Sequence, residues 1–357
     1  MHIRDYLQLL VDKDGSDLHL KAGGPAYVRI DGELSEIHDL PWLYSEDTER
    51  FAREVLDGRA LDHFESGAEA DCAYAVHGLG RFRVAVFRQR GSTGLVLRRV
   101  LPGNQSFDEL GLPPVCRAMA EEHRGLVLVT GPTGSGKTTT TAAMIGHINA
   151  TRRSHIVTIE DPIEILHQDN LSIVDQREIG VDTDDFTSAL RSVARQDPDV
   201  IFIGEMRDVE TVTAALQAAE TGHFVISTLH TTNATETINR ILDLFPPHQQ
   251  HQARLSLANA LKGIMCQRLL PRVGGGRVAA IEALVMTSRV YDFIADPDKT
   301  SEIEEAISEG AYYGMQTFDQ HLLNLYATKQ VTLRDAMTAA TNPHDFKIAV
   351  RAAGLEG

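Results

Sequence analysis

A glycine-rich turn set directly behind an apolar strand restricts this chain more than any other feature. Residues 125–130 read GLVLVT, and residues 131–141 read GPTGSGKTTTT. Gly131, Gly136, Lys137 and Thr138 satisfy G-x-x-x-x-G-K-[ST], between a strand and a helical tract as that motif requires. In such a turn backbone N–H groups face a β-phosphate, Lys137 supplies a point charge and the Thr138 hydroxyl ligates Mg2+. Thr133, Gly134, Ser135 and Thr139 complete the candidate phosphate contacts. The expected ligand is ATP with Mg2+.

More strands of the same kind follow. IVTI (156–159), VIFI (200–203) and FVIST (224–228) are apolar on both faces and separated by helical tracts such as DFTSALRSVARQ. That pattern indicates an α/β architecture, a mainly parallel sheet covered on each side. The last third, from HQQHQARLSLANALKGIMCQRL onward, reads as mostly helical. A chain of 357 residues exceeds one ordinary core, and its first hundred read as a smaller mixed α/β domain. SDLHLKAGGPAYVRIDGEL (16–34) alternates and turns at AGGP and DG; SEDTERFAREVL (45–56) opens on a serine cap with helical spacing. DCAYAVHGLGRFRVAVF (71–87) is a hairpin pattern in which Phe82, Val84 and Val86 share one face, leaving Arg81 and Arg83 on the other. LPGNQSFDELGLPP (101–114) is the expected linker between domains 1–100 and 115–357.

Three further stretches carry candidate chemistry. TIEDPIE (158–164) puts Glu160, Asp161 and Glu164 at the C-terminal edge of the sheet, where ligands of open α/β sheets collect. A carboxylate there orients and deprotonates an attacking water, or holds metal through water. DPDVIFIGEMRD (197–208) runs from an apolar strand through Gly204 into Glu205, expected beside Mg2+; Arg207 and Asp208 read as a surface ion pair worth little. ETGHFVISTLHTTN (220–233) sets His223 and His230 at opposite ends of one strand. His230 would meet a γ-phosphate and His223 a subunit boundary, and spacing alone does not choose between them.

Charge narrows the partners. A formal net charge of −16 argues against a general nucleic-acid surface, so no nucleic acid is expected. Cys72, Cys116 and Cys266 match no metal-ligand spacing and read as reduced thiols. No run approaches the ~18 apolar residues of a membrane span, and the N-terminus has no signal-peptide core; the reading is cytoplasmic.

In this order, GPTGSGKTTT, TIEDPIE, GEMRD and TGHFVISTLHT resemble the Walker A, Asp box, atypical Walker B and His box of the secretion ATPase superfamily of type II and type IV systems. Within it the chain is similar to the twitching-motility branch that powers pilus retraction. The similarity also takes in SDLHLKAGGPAYVRIDGEL, GRFRVAVFRQRG and LFPPHQQHQARLSLANALKGIMCQRLL, and so nearly the whole chain. It implies an N-terminal PAS-like domain, a RecA-like ATPase domain with a helical C-terminal region, and a hexameric ring. It implies a peripheral place at the inner face of the membrane, an inner-membrane platform protein as partner, and a paralogous pilus ATPase as a further one. Glu164 is implied as catalytic base, Glu205 as the magnesium-side acid and His230 as γ-phosphate sensor. Arg83, with Arg81, Arg88, Arg90 and Arg98 as rivals, is implied as positive charge offered to ATP by the N-terminal domain. Assembly ATPases and their type II relatives typically carry a four-cysteine zinc site, which Cys116 and Cys266 alone cannot build; this favours the retraction branch. The retraction branch's basic C-terminal helix has an acidic counterpart here, in SEIEEAISEGAYYGMQTFDQ (301–320). The alternatives are an accessory pilus ATPase, a secretion or DNA-uptake ATPase, a nucleotide-binding regulator without turnover, and a RecA-like DNA motor.

Overall fold

The computed structural model describes residues 1–30, 32–38, 40–103 and 105–355. The chain divides into two compact units, Met1–Pro102 and Gly103–Gly357.

In the first unit, Ile3, Tyr6, Leu7 and Leu10 fall on one face of helix α1 (Ile3–Asp12), the spacing that buries a single stripe. They meet α2 (Ser45–Val55), α3 (Gly58–Glu65) and a sheet made by β1 (Asp17–Lys21), β2 (Tyr27–Ile30), β3 (Glu33–Glu36), β4 (Ala70–Val76), β5 (Gly80–Gln89) and β6 (Ser92–Pro102). The strand order is β3-β2-β1-β6-β5-β4, antiparallel at every step. Tyr6 and Phe51 pack edge to face at 5.2 Å in this core. Phe82, Val84 and Val86 of β5 are buried, while Arg83 on the opposite face is exposed. Ser45 is not the cap of α2 but its first helical residue. Tyr44 takes the cap position, and the Asp47 carboxylate accepts the Tyr44 N–H at 3.0 Å.

In the second unit, α4 (Pro114–Ala120) precedes β7 (Gly125–Thr130), and α5 (Lys137–Thr151) starts at the end of the glycine-rich turn. Then come β8 (His155–Glu160), the short β9 (Ile165–Leu166), β10 (Ile173–Glu178), α6 (Phe186–Val193), β11 (Val200–Ile203), α7 (Val209–Glu220), β12 (Phe224–Leu229), α8 (Ala234–Asp243) and α9 (Pro247–Ala260). The sheet runs β10-β8-β11-β12-β7-β13-β14, with β13 (Leu261–Pro271) and β14 (Arg277–Val285) closing one side. Every pairing is parallel except β13 with β14. β7 and β12 are buried along their whole length, each large aliphatic side chain contributing about 1.5–3 kcal/mol from burial. Phe107 and Leu112, inside the stretch read as a linker, belong to this unit's core.

The expectation of a mostly helical last third fails over residues 261–285, which are the β13–β14 hairpin. Both strands are buried on both faces, so their sequence shows no alternation to separate strand from buried helix. The GGG run at 274–276 between them is the turn signal that marks the hairpin. The remainder is helical: α10 (Ser288–Ala295), α11 (Ile303–Glu309), α12 (Phe318–Ala327), α13 (Leu333–Ala339) and α14 (Pro343–Ala352). On the α12 side, the Ile281 N–H of β14 donates to the Nδ1 of buried His321 at 2.9 Å.

Glu282 of β14 is buried, with one carboxylate oxygen accepting the Ala234 N–H of α8 at 2.8 Å, and burial pushes its pKa up to about 7. An acid raised above its ordinary 4.5 in the folded state stabilises the fold fully below that value and loses the contribution as pH rises through 7. Glu282→Gln keeps the acceptor and removes the charge. It is expected to stabilise the protein at pH 8 by about 3 kcal/mol, a gap that closes as pH falls toward 4.5. Thermal or urea denaturation at the two pH values checks this; no stabilisation at pH 8 would contradict it.

Candidate active site

The parallel strands all end at one edge, and their order in space, β8-β11-β12-β7, brings four loops side by side. Thr130 leads into the glycine-rich turn, Glu160 into the acidic turn, Ile203 into Gly204 and Glu205, and Leu229 into His230. Backbone and hydroxyl bonds hold these loops together. The Gly204 N–H donates to Ile159 O at 2.8 Å, and the Thr228 hydroxyl donates to Gly204 O at 2.6 Å. A side chain at 204 would press within 3.3–3.4 Å of the Ile159 carbonyl and the Glu160 backbone, which is why the strand reaches its acid through glycine. Gly131, at φ 146°, has a conformation that side chains rarely adopt, and a Cβ there would overlap the Gln267 carbonyl oxygen.

The loops enclose a cleft of about 510 Å³. Its lining includes Thr133, Gly134, Gly136, Lys137, Thr138 and Thr139 from the turn, and Glu160, Glu164, Glu205 and His230 from the other three loops. Gly131 and Ser135 stand behind this surface: Gly131 offers its carbonyl to Lys137, and the buried Ser135 hydroxyl has no hydrogen-bond partner.

A line of polar contacts crosses the cleft floor. Lys137 Nζ donates to Gly131 O at 2.8 Å and Pro132 O at 3.1 Å, and lies 3.4 Å from His230 Nδ1. His230 Nε2 is 3.3 Å from Glu205 Oε1, and Arg207 Nε donates to Glu205 Oε2 at 2.8 Å. An ammonium only donates, so Nδ1 of His230 accepts from Lys137 and Nε2 carries the hydrogen directed at Glu205. Burial pushes the Lys137 pKa below its ordinary value, against the opposing pull of the Glu205 and Glu164 carboxylates. A buried ammonium whose partners are mostly backbone carbonyls is poised to gain from an arriving phosphate.

The two glutamates of the acidic turn part company. Glu160 is 8% exposed; one of its oxygens accepts from the Thr158 hydroxyl at 2.6 Å and from Gln176 Nε2 at 3.0 Å. Burial raises its pKa to about 7, with the Thr158 and Gln176 donors and the Glu164 backbone N–H opposing the shift. Glu164 is exposed to the cleft, and its carboxylate has no hydrogen-bond partner among the described residues. Arg207 does not pair with Asp208. It bridges Glu205 and, at 3.7 Å, Asp161, whereas Asp208 caps α7 by accepting the Thr211 N–H at 2.8 Å. The choice between the histidines falls to His230, since His223 turns its Nδ1 to Ala218 O at 3.0 Å, at the other end of β12.

The arginines lie on the first unit. Arg88 pairs with Glu49 at 3.0 Å and covers the Phe64 ring; Arg98 pairs with Asp17 at 2.7 Å. Arg81 is half-buried, and Arg90 sits in the β5–β6 turn. Arg83 is exposed and has no ion-pair partner among the described residues. The sequence reading missed Gln267, whose buried Oε1 accepts from the Thr140 hydroxyl at 2.9 Å behind the turn, and Leu269 and Arg277 in the lining. The polar pair Gln267 and Arg268 inside the apolar run GIMCQRLL was the available signal.

A family model described as type II/IV secretion system protein matches residues 79–274. The chain is 42% identical over 346 residues, 97% of this chain and all of the relative, to a type IV pilus retraction ATPase, PilT, of Pseudomonas aeruginosa. It is 40% identical to the type IV pilus ATPase PilU of the same organism, covering 98% of this chain and 92% of that one. Among solved structures, the pilus retraction motor PilT with bound ADP superposes with a TM-score of 0.88 at 45% identity, covering 98% of this chain and 99% of that one. The Legionella pneumophila ATPase DotB gives 0.74 at 25% identity, with 98% and 95% covered.

Proposed function

The chain belongs to the type II/IV secretion system protein family, and from that membership we propose that it is a Mg2+-dependent ATPase that drives type IV pilus retraction as a hexamer. The observation that carries this reading is the convergence of Lys137, His230, Glu205 and Glu164 on one cleft of about 510 Å³ at the ends of four neighbouring strands. The ADP held by the PilT structure supports the nucleotide.

The mechanism follows from the donors present. Backbone N–H groups of residues 133–138 and the Lys137 ammonium receive the phosphates. Glu164, exposed and with no partner for its carboxylate among the described residues, orients and deprotonates the attacking water; Glu160, buried and already holding donors from Thr158 and Gln176, braces the turn beneath it. Thr138 and Glu205 supply hard oxygens on the metal side, which suits Mg2+, an ion that takes few protein ligands and completes its shell with phosphate and water. Among the described residues no three His, Cys, Asp or Glu side chains gather into a metal-holding group. When bound, Mg2+ neutralises charge developing on the phosphates. The one N–H of His230, on Nε2 and aimed at Glu205, swings to the γ-phosphate when ATP binds and returns when that phosphate leaves, so the ring registers its loss. Arg83, exposed and without an ion-pair partner among the described residues, is the foremost of the five arginines for the charge that the N-terminal domain would bring to ATP.

The partners on this reading are further copies of the chain and an inner-membrane platform protein, with a peripheral location. Among the described residues no helix is long and apolar enough to cross a membrane. Deleting the gene in its host and counting surface filaments tests the direction of force. The count should rise, and restoring the intact gene should return it to normal; a fall would place the chain in assembly instead. Nearly equal identity to PilT and PilU favours one second reading, an accessory ATPase working beside a paralogue. ATP turnover by the purified chain alone favours the motor, and turnover that needs the paralogue favours the accessory role.

A further inference from the structure

The turn that carries Glu164 has one internal tie, from the Glu164 backbone to the Glu160 carboxylate, and the side chains that bind residues 163, 165 and 167 come from the edge strand β10. Gln176 and Glu178 sit two apart on that strand, so both side chains leave the same face. Gln176 makes three contacts: Nε2 donates to Ile165 O at 2.9 Å and to Glu160 Oε1 at 3.0 Å, and Oε1 accepts the His167 N–H at 2.8 Å. Buried Glu178 accepts the Ile163 N–H through Oε2 at 3.0 Å. Backbone groups on either side of Glu164, at 163 on one hand and at 165 and 167 on the other, are thus fixed by side chains of β10. Glu164 itself, between these anchor points, bears no hydrogen bond to its carboxylate among the described residues.

We propose that Gln176 is a positioning residue, which with Glu178 clamps residues 163–167 so that Glu164 meets the attacking water. The inference rests on Glu164 being the base. The amide suits the task because it donates and accepts at once, binding the His167 N–H, the Ile165 carbonyl and the Glu160 carboxylate from one side chain. β10 occupies one end of the sheet order and pairs with β8, in register Gln176 opposite Thr158 and Glu178 opposite Glu160. The clamp is therefore built into the same two strands that deliver the acidic turn. No phosphate-binding residue depends on it, since the glycine-rich turn leaves β7, four places from β10 in the sheet order.

That separation gives the test its readout. In Gln176→Met the side-chain volume is kept and all three polar contacts are lost. A base misplaced by about 1 Å costs on the order of 10²-fold in rate, so kcat is expected to fall about 10- to 100-fold. Affinity for a fluorescent ADP should stay within about twofold, because the phosphate cradle is untouched. A kcat equal to wild type, or a loss of ADP affinity as large as the loss of kcat, would overturn the clamp.

If Gln176→Met does not fold, Gln176→Glu decides. Its carboxyl donates only when protonated, so its kcat relative to wild type should recover as pH is lowered from about 8.5 to 6.5. A ratio that stays flat with pH overturns the proposal. Glu164→Gln separates the two ideas. If it is inactive while Gln176→Met turns over normally, the base stands and the clamp falls. If Glu164→Gln itself turns over normally, the base reading falls and takes the clamp with it.

Discussion

Lys137→Ala is expected to abolish measurable ATP turnover and to weaken nucleotide binding on the order of 10²-fold. The ammonium sits at the start of α5, buried, with its hydrogens turned toward Gly131 O, Pro132 O and His230 Nδ1. Among the described residues no carboxylate touches it, so the charge is available to a phosphate. A charge-assisted hydrogen bond in such a site is worth about 1.5–3 kcal/mol, and the developing charge of the transition state draws on the same group. Titration with a fluorescent nucleotide and a phosphate-release assay read the two effects separately. Turnover near that of the intact chain would remove the assignment of this cleft as the site of hydrolysis.

Glu164→Gln tests a different step and should split the two readouts. The amide keeps the shape but cannot take a proton. A positioned general base contributes about 10²–10⁴-fold, so kcat should drop by that factor while nucleotide affinity stays near normal. Glu160→Gln is the natural comparison, since Glu160 is already held by Thr158 and Gln176 and sits at a raised pKa of about 7. If the position-160 change proved the more damaging to kcat with affinity intact, the roles of the two acids would have to be exchanged.

β7, β8, β11 and β12 were legible because each is a short apolar run ended by glycine, acid or histidine, and those endings became the four loops of the cleft; the parallel edge strand β10, IVDQRE, was not read, because it carries no apolar run. β13 and β14 were not legible, because a strand covered on both faces loses the alternation that identifies strands. With them went Leu269 and Arg277 in the cleft lining and Gln267, which braces the glycine-rich turn from behind. Spacing also could not tell Glu160 from Glu164. Four residues apart in the same turn, they differ in whether Thr158 and Gln176 come near, and that depends on which strand pairs with β8. Arg207 and Asp208 failed for a similar reason: neighbours in sequence, they serve a carboxylate pair and a helix start.

Only three residues separate His230 from the first turn of α8. Asn233 caps that helix by accepting the Glu236 N–H at 2.8 Å, and the Ala234 N–H is tied to Glu282. The Thr231 and Thr237 hydroxyls also meet at 2.7 Å, lashing the connection to the helix it feeds. So short a tether has almost no slack. An imidazole that follows a departing phosphate must drag a rigid rod with it, and the rod pulls on the strand where the carboxyl-terminal helices are moored.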